Sequence, residues 1–468
     1  MGLKMTILRC IKCSSIFEPF PPNYKCPNCG GPLEYQIDYE SLKKKAFHGK
    51  FSFWRYRKFL PETRNIATLG EGGTPLHKAE RLADHLKIGK VYLKDETRNP
   101  TNSFRDRSAA LMVSNALDMK FQSIICATNG NLGASLAAYC AKYGLICHVI
   151  IPKLVDMGKL AQMLIYDAII EEYGETVDDS IEKAEKLAKE TGWYQATPEL
   201  NPLVIEAQKT IAYEIFEQSG VPDWMIVSMG SGGTIYSIWK GFKELQLLGK
   251  ADFAPKIVGV QAESCSPIID KLEEKNGQAE KDLTHALAIL VRKPLQQELA
   301  IKAIKESNGK AIAIPDQEII MAEHEIAKLE GMFAEPASSA TIAALKKLVN
   351  EGVIDKNEKV ICLITGSGLK ATDILQSLTK KRKTVGIGLE ISTKEKILRI
   401  LSEKKSYGYE IWKKLGKTMT RPAIYQHLNE LEQRGLITSS IKNKKKFFKI
   451  TRRGKRVLKA IEELKVLL

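Results

Sequence analysis

Between Thr68 and Leu378, short apolar runs alternate with amphipathic stretches. That alternation limits the possible folds more than any other feature of the chain. The runs are Lys90–Leu93, Ser123–Ala127, Ile146–Ile151, Trp224–Met229, Lys256–Gln261 and Lys359–Thr365. Helix-patterned stretches such as Leu132–Tyr143, Asp179–Thr191 and Ile235–Leu245 lie among them. Strands buried on both faces read as short apolar runs, and parallel neighbours need a crossover. Repeated strand–helix alternation therefore predicts an α/β body built on parallel sheet.

The body is not the whole chain. At 468 residues the sequence exceeds one ordinary core and predicts two or three domains. No apolar run reaches the roughly 18 residues of a membrane-spanning helix. The opening stretch, Met1 to Arg9, is too short before the first cysteines for a signal peptide. The expectation is a cytoplasmic protein without a membrane partner.

The net charge is +16, and its distribution is uneven. Residues 380–468 hold 25 Lys and Arg against 8 Asp and Glu, a net of +17, leaving 46 basic and 47 acidic residues elsewhere. A near-neutral body with a basic end points to a polyanion partner for that end. A solvated lysine-rich surface is the plainer alternative.

Four of the nine cysteines cluster in two C-x2-C pairs, Cys10/Cys13 and Cys26/Cys29. Each pair presents two sulfurs from one tight turn, and four thiolates complete a tetrahedral zinc site. With every ligand place taken by cysteine, that zinc is structural. A redox dithiol is the alternative, but the βαβ setting it needs is missing. The other five cysteines read as buried thiols. Boundaries follow at 1–39 for a zinc ribbon, 40–379 for the body, 380–392 for a linker containing Lys380–Lys383, and 393–468 for a final domain.

Three polar loops follow apolar runs in the body. They are Thr128-Asn-Gly-Asn131-Leu-Gly133, Gly230-Ser231-Gly232-Gly233-Thr234 and Thr365-Gly-Ser-Gly-Leu-Lys370. A glycine loop opening a helix lets the backbone approach a phosphate, although such loops also serve as plain strand-to-helix turns. Three of them at strand ends would meet at one crevice.

The order of motifs resembles threonine synthase, of the fold-type-II (tryptophan-synthase-β-like) pyridoxal-phosphate family. The matching segments begin at Gly70, Leu93 (Leu-Lys-Asp-Glu), Asn99, Gly158, Glu206, Gly230, Glu335 (Glu-Pro-Ala-Ser) and Thr365. A ribbon like Cys10–Cys29 also precedes some members. The resemblance implies a two-lobed α/β body. It implies that Gly230, Ser231, Gly232, Gly233 and Thr234 hold the cofactor phosphate, Asn131 the ring hydroxyl and Thr365 the ring nitrogen.

The pattern breaks most sharply at the nucleophile. Where the family reads Pro-Thr-Gly-Ser-Phe-Lys-Asp-Arg, this chain reads Pro100-Thr-Asn-Ser-Phe-Arg105-Asp-Arg107. The family lysine is the nucleophile that bonds the cofactor. A guanidinium stays protonated and cannot replace it. No catalytic residue is assigned, and Lys94 is the one fallback amine. Asn102 replaces a glycine, Asn129 a serine, and Leu290–Pro294 departs from the family's substrate loop. The expectation is non-covalent binding of pyridoxal phosphate, or of another small phosphate-bearing or amino-acid ligand.

After the linker, Thr393–Glu403 predicts a helix with Ile397, Ile400 and Leu401 on one face. Tyr407–Leu415 predicts a second, and Arg421–Gln433 a third, with Thr420 as its N-cap. Leu436–Ile441 and Phe447–Thr451 read as strands flanking a basic tip, Lys442–Lys446. This resembles PadR-type winged-helix regulators. The resemblance implies a DNA-binding third helix with Arg421, Tyr425, Gln426 and Asn429 on its outer and flanking faces, Arg421 and Gln426 reaching base edges, and Lys444, Lys445 and Lys446 contacting phosphates. The combined expectation is a homodimeric, DNA-binding transcriptional regulator with a disabled sensor body. The alternatives are an active threonine synthase or relative that also binds DNA, and a non-catalytic partner subunit of such an enzyme.

Overall fold

The computed structural model describes residues 7–274, 284–371, 388–416, 420–442 and 445–458. The chain forms two compact units, residues 1–372 and 373–468. Among the described residues no helix is long and apolar enough to cross a membrane.

The first unit begins with the ribbon. Its strands β1 (Ile7–Cys10), β2 (Ile16–Phe17) and β3 (Leu33–Gln36) pair antiparallel in the order β2-β1-β3. Leu8, Cys10, Cys26, Leu33 and Tyr35 share one core cluster with Leu111, Leu136 and Tyr139 of the body. The ribbon is therefore packed as part of the body and is not an appendage with its own core.

The body holds β4 (Leu76–Lys78), β5 (Lys90–Asp95), β6 (Ser123–Ala127), β7 (Ile146–Ile151), β8 (Ile169–Glu172) and β9 (Tyr194–Gln195). It continues with β10 (Trp224–Ser228), β11 (Lys256–Ala262), β12 (Lys310–Ile314) and β13 (Lys359–Ile364). They form two sheets. The larger runs β12-β11-β10-β13-β5-β4, parallel except for β4; the smaller runs β8-β7-β6-β9 and is wholly parallel. This is the α/β, two-lobed body that the alternation and the resemblance predict.

Strand periodicity divides the large lobe's core. Ile226, Val258, Val360 and Cys362 pack on one face of the sheet, and Met225, Val227, Ile257 and Ile361 on the other. Helices cover both faces, as parallel sheet requires. One boundary moves for a local reason. The helix expected from Asp179 starts at Val177, because Thr176 and Asp179 form a capping box.

The second unit packs helices Gly388–Glu403, Gly408–Lys414 and Arg421–Gln433 against a sheet ordered β14-β16-β15. Its strands are β14 (Ser406–Tyr407), β15 (Ile437–Lys442) and β16 (Lys445–Ile450). Ile397, Leu401, Ile411, Ile424, Leu428, Leu431 and Phe448 form its core. Leu398 is buried there, whereas Ile400 only packs against the cluster from its edge. The first helix begins at Gly388, so the linker expected over 380–392 ends earlier. The rest of that stretch, with Lys380–Lys383, lies outside the described residues.

Candidate functional site

The four ribbon cysteines converge. All four sulfurs lie within 4.8 Å of one another, with Cys10–Cys29 at 3.5 Å and Cys13–Cys26 at 3.6 Å. A tetrahedral zinc with 2.3 Å bonds places sulfurs roughly 3.7 Å apart, so the residues fit that metal. Gly31 is needed beside them: a Cβ there would meet the Cys10 and Cys29 sulfurs at 3.2 Å and the Lys12 side chain at 2.9 Å.

The strand-end loops meet in one cleft. Thr128–Asn131 follows β6, Ser228–Thr234 follows β10, and Thr365 follows β13, so the lining comes from the carboxyl ends of strands in both sheets. The helix Gly233–Leu247 starts at the cleft, and no side chain among the described residues caps its first N–H groups. Ser231 Oγ is buried without a hydrogen-bond partner among the described residues. Gly232 cannot carry a side chain: its φ is +103°, and a Cβ there would lie 2.6 Å from the Gln296 carbonyl oxygen. An orphaned hydroxyl, a helix N-terminus and a side-chain-free backbone together fit a phosphate.

Asn131 and Thr365, the residues expected to hold a ring, line the same cleft. Asn131 donates from Nδ2 to both carboxylate oxygens of Glu335, at 3.1 and 3.0 Å, and its buried Oδ1 has no partner among the described residues. Thr365 Oγ1 lies 2.8 Å from Ser338 Oγ. The Thr365 carbonyl accepts from Phe104 N–H at 2.9 Å, which ties the end of β13 to the residue before Arg105.

Arg105 lines this cleft as the first residue of the helix Arg105–Asp118. Its guanidinium lies 4.6 Å from the Phe104 ring centroid. Burial pulls its pKa below the usual arginine value, while the carboxyls of Glu199 and Glu335 oppose that shift. Burial in turn raises Glu199 to about 7 against the pull of Arg105, and Glu199 Oε2 has no partner among the described residues. Among the described residues, the cleft lining contains no lysine.

Lys94 is not near this lining. Its Nζ is buried 2.8 Å from Glu214 Oε2, 2.8 Å from the Thr74 carbonyl and 3.0 Å from Gln218 Oε1. Two other lysines stand closer, behind Glu335. Lys159 pairs with Asp156 at 2.6 Å and Glu335 at 3.2 Å, and these acids hold its pKa up against burial. Lys370 donates to the Thr101 carbonyl at 2.7 Å, and burial lowers its pKa to about 8. Sequence reading missed Glu199, Gln296, Lys159 and Glu335 as site residues. Glu335 and Lys159 carried a signal, at the heads of the matching segments that begin at Glu335 and Gly158.

The departures from the family pattern are spatially linked. Asn129 Nδ2 donates to Leu290 O at 3.3 Å, so two altered segments touch. Asn102 stands where the family pattern has glycine, and its φ of +61° is a conformation asparagine tolerates.

The pyridoxal-phosphate dependent enzyme family matches residues 67–366. The chain belongs to that family. It is 39% identical over 410 residues to threonine synthase of Methanocaldococcus jannaschii, spanning 84% of this chain and 99% of the relative. It is 38% identical over 322 residues to threonine synthase of Mycobacterium bovis, spanning 68% of this chain and 88% of the relative. Among solved structures, the processed threonine deaminase isoform 2 of Solanum lycopersicum shares the fold (TM-score 0.55, 22% identity, 66% of this chain, 88% of that one). So does maize serine racemase (TM-score 0.54, 18% identity, 66% of this chain, 92% of that one). Members of this family bind pyridoxal phosphate. The transcriptional regulator PadR-like family matches residues 397–460, so a PadR-like domain follows the enzyme-like body.

In that domain Tyr425, Gln426 and Asn429 are exposed on the third helix. Arg421 is exposed too, but its guanidinium stacks over the rings of Tyr409 and Trp412, at 4.9 and 4.8 Å. Lys446 pairs with Glu432 at 2.9 Å. Lys445 lies in β16 opposite Lys442, and Lys444 lies outside the described residues.

Proposed function

We propose that this chain is a DNA-binding transcriptional regulator whose threonine-synthase-like body senses a phosphate-bearing ligand without converting it. The observation that carries this reading is the cleft itself: Arg105 and the loop Gly230–Thr234 line the same space, and among the described residues no lysine lines it. Pyridoxal phosphate, when bound in its family, supplies an electron sink for carbanion chemistry. In this chain Gly230–Thr234 would hold its phosphate, and Asn131 and Thr365 its ring. Arg105 would present a fixed positive charge where a nucleophile is required. Ligand binding at the junction of two lobes favours one lobe arrangement. In a homodimer it thereby changes the spacing of two PadR-like domains. A regulator of this kind works in the cytoplasm.

The test is borohydride reduction of protein mixed with pyridoxal phosphate, followed by peptide mass spectrometry. The expected outcome is no site-specific adduct, with reversible binding retained. Gel shifts of native promoter DNA should respond to pyridoxal phosphate or to phosphorylated amino acids. Indifference to all of them rejects the sensor reading.

A second reading, an active pyridoxal-phosphate enzyme, has one observation in its favour. Lys370 is buried, with its pKa lowered to about 8, and its Nζ lies 2.7 Å from the carbonyl of Thr101 in the segment that leads to Arg105. A stoichiometric adduct on Lys370 or Lys159 would establish that reading.

A further inference from the structure

The ribbon grips both lobes of the body beside the cleft. On the large lobe, Glu34 of β3 pairs with Lys240 at 2.7 Å and accepts from Tyr236 OH at 2.9 Å. Lys240 also donates to the Tyr35 carbonyl at 3.2 Å and pairs with Glu206 at 2.6 Å. Tyr236 and Lys240 belong to the helix Gly233–Leu247, whose first turn is the phosphate cradle.

On the small lobe, Tyr24 OH accepts from the Gln195 backbone N–H at 3.1 Å, and its ring meets Tyr194 edge-on at 6.0 Å. Lys25 pairs with Glu185 at 2.6 Å. Gln195 is the last residue of β9, and the chain running on from it reaches Pro198 and Glu199 in the cleft wall. Gln195 also orders that stretch directly, accepting from Thr197 N–H at 2.9 Å and, through its carbonyl, from Asn201 Nδ2 at 2.8 Å.

These grips depend on the metal site. Tyr24 and Lys25 immediately precede Cys26, and Glu34 lies three residues beyond Gly31, which packs against two of the cysteine sulfurs. The ribbon's apolar residues join the body's core, but the turns beside Tyr24, Lys25 and Gly31 are closed by the four sulfurs, and structural zinc supplies such local order. Cys13 is exposed, so a metal held there is open to exchange with small chelators.

We propose that the ribbon is a zinc-locked strap. It ties the cradle helix of one lobe to the Pro198–Glu199 wall of the other, and it makes the ligand affinity of the cleft depend on metal occupancy. Tyr24 and Glu34 are positioning residues that act through Gln195 and Lys240. The affinity part of the proposal rests on the reading that the cleft binds a phosphate-bearing ligand; the mechanical part does not.

The experiment uses full-length, zinc-loaded protein, with metal content measured for every sample. Amide hydrogen exchange is followed at residues 194–201 and 229–240 before chelation, after chelation and after zinc is restored. The strap predicts faster exchange in both segments on stripping and recovery on reloading; unchanged exchange in both overturns it. Tyr24→Phe and Glu34→Gln are then compared with the parent while zinc stays bound, so a failure to fold on stripping cannot decide the matter. Their Kd for pyridoxal phosphate should rise, about tenfold for Glu34→Gln, which loses a charge-assisted hydrogen bond, and about threefold for Tyr24→Phe, which loses a neutral one. Parental affinity in both variants overturns the coupling. If the parent does not bind pyridoxal phosphate at all, the ligand reading fails, and the strap is judged on exchange alone.

Discussion

Lys94 and Glu214 form an ion pair 2.8 Å long with both side chains fully excluded from solvent. The same carboxylate also receives Arg107, which is itself paired with Glu96. Lys94 is therefore committed to holding strand β5 against the helix Thr210–Ser219, and its pKa is lowered chiefly by burial.

Replacing Lys94 with Met should leave pyridoxal phosphate affinity unchanged and destabilise the body. Removing one partner of a buried pair strands the other charge, at a cost of about 3–5 kcal/mol. Arg107 still neutralises Glu214, so the lower end of that range is expected. Urea unfolding of parent and variant measures it.

Arg105→Lys should restore an amine to the cleft. With pyridoxal phosphate and borohydride, the variant should gain a near-stoichiometric adduct at position 105, where the parent gains none. Peptide mass spectrometry reads the outcome directly. No adduct would mean that more than this side chain has departed from the family's chemistry.

Glu199 gives the body a defined pH dependence. Its folded pKa, about 7, is raised by burial above the ordinary value of about 4.3. The folded state therefore binds its proton more tightly than the unfolded state does. The resulting stability is complete below about pH 4.3 and is lost as pH rises through about 7. Glu323, raised to about 8 by burial, acts in the same direction. The urea midpoint should fall between pH 5 and pH 8, and Glu199→Gln should flatten part of that fall. An equal slope in the variant would place the effect elsewhere.

In the PadR-like unit, the exposed helix positions should separate into two classes. Gln426→Ala should relax discrimination at one base pair, at a cost of about 1–3 kcal/mol. Arg421→Lys keeps the charge but loses the planar stack on Tyr409 and Trp412. It should lower the unit's stability more than its sequence preference. Fluorescence anisotropy on matched and mismatched duplexes, with thermal unfolding alongside, distinguishes the two.

The sequence by itself determined the architecture. Ser123–Ala127 and Ile146–Ile151 form strands with the bounds their apolar runs predict, because a strand buried on both faces has no other composition available to it. The two C-x2-C pairs announced a four-sulfur site, since ligand spacing is local and survives without tertiary information. Arg105 was equally legible, because it sits inside a contiguous motif.

Only the tertiary structure decided which distant groups meet. Glu199 faces Arg105 from 94 residues away, Glu335 reaches Asn131 from 204, and Glu34 reaches Lys240 from 206. No periodicity encodes such pairings, because they arise where loops from different strands converge. For the same reason Lys94 looked available in the sequence: its buried partner lies 120 residues further along, in a helix that the strand pattern does not reveal.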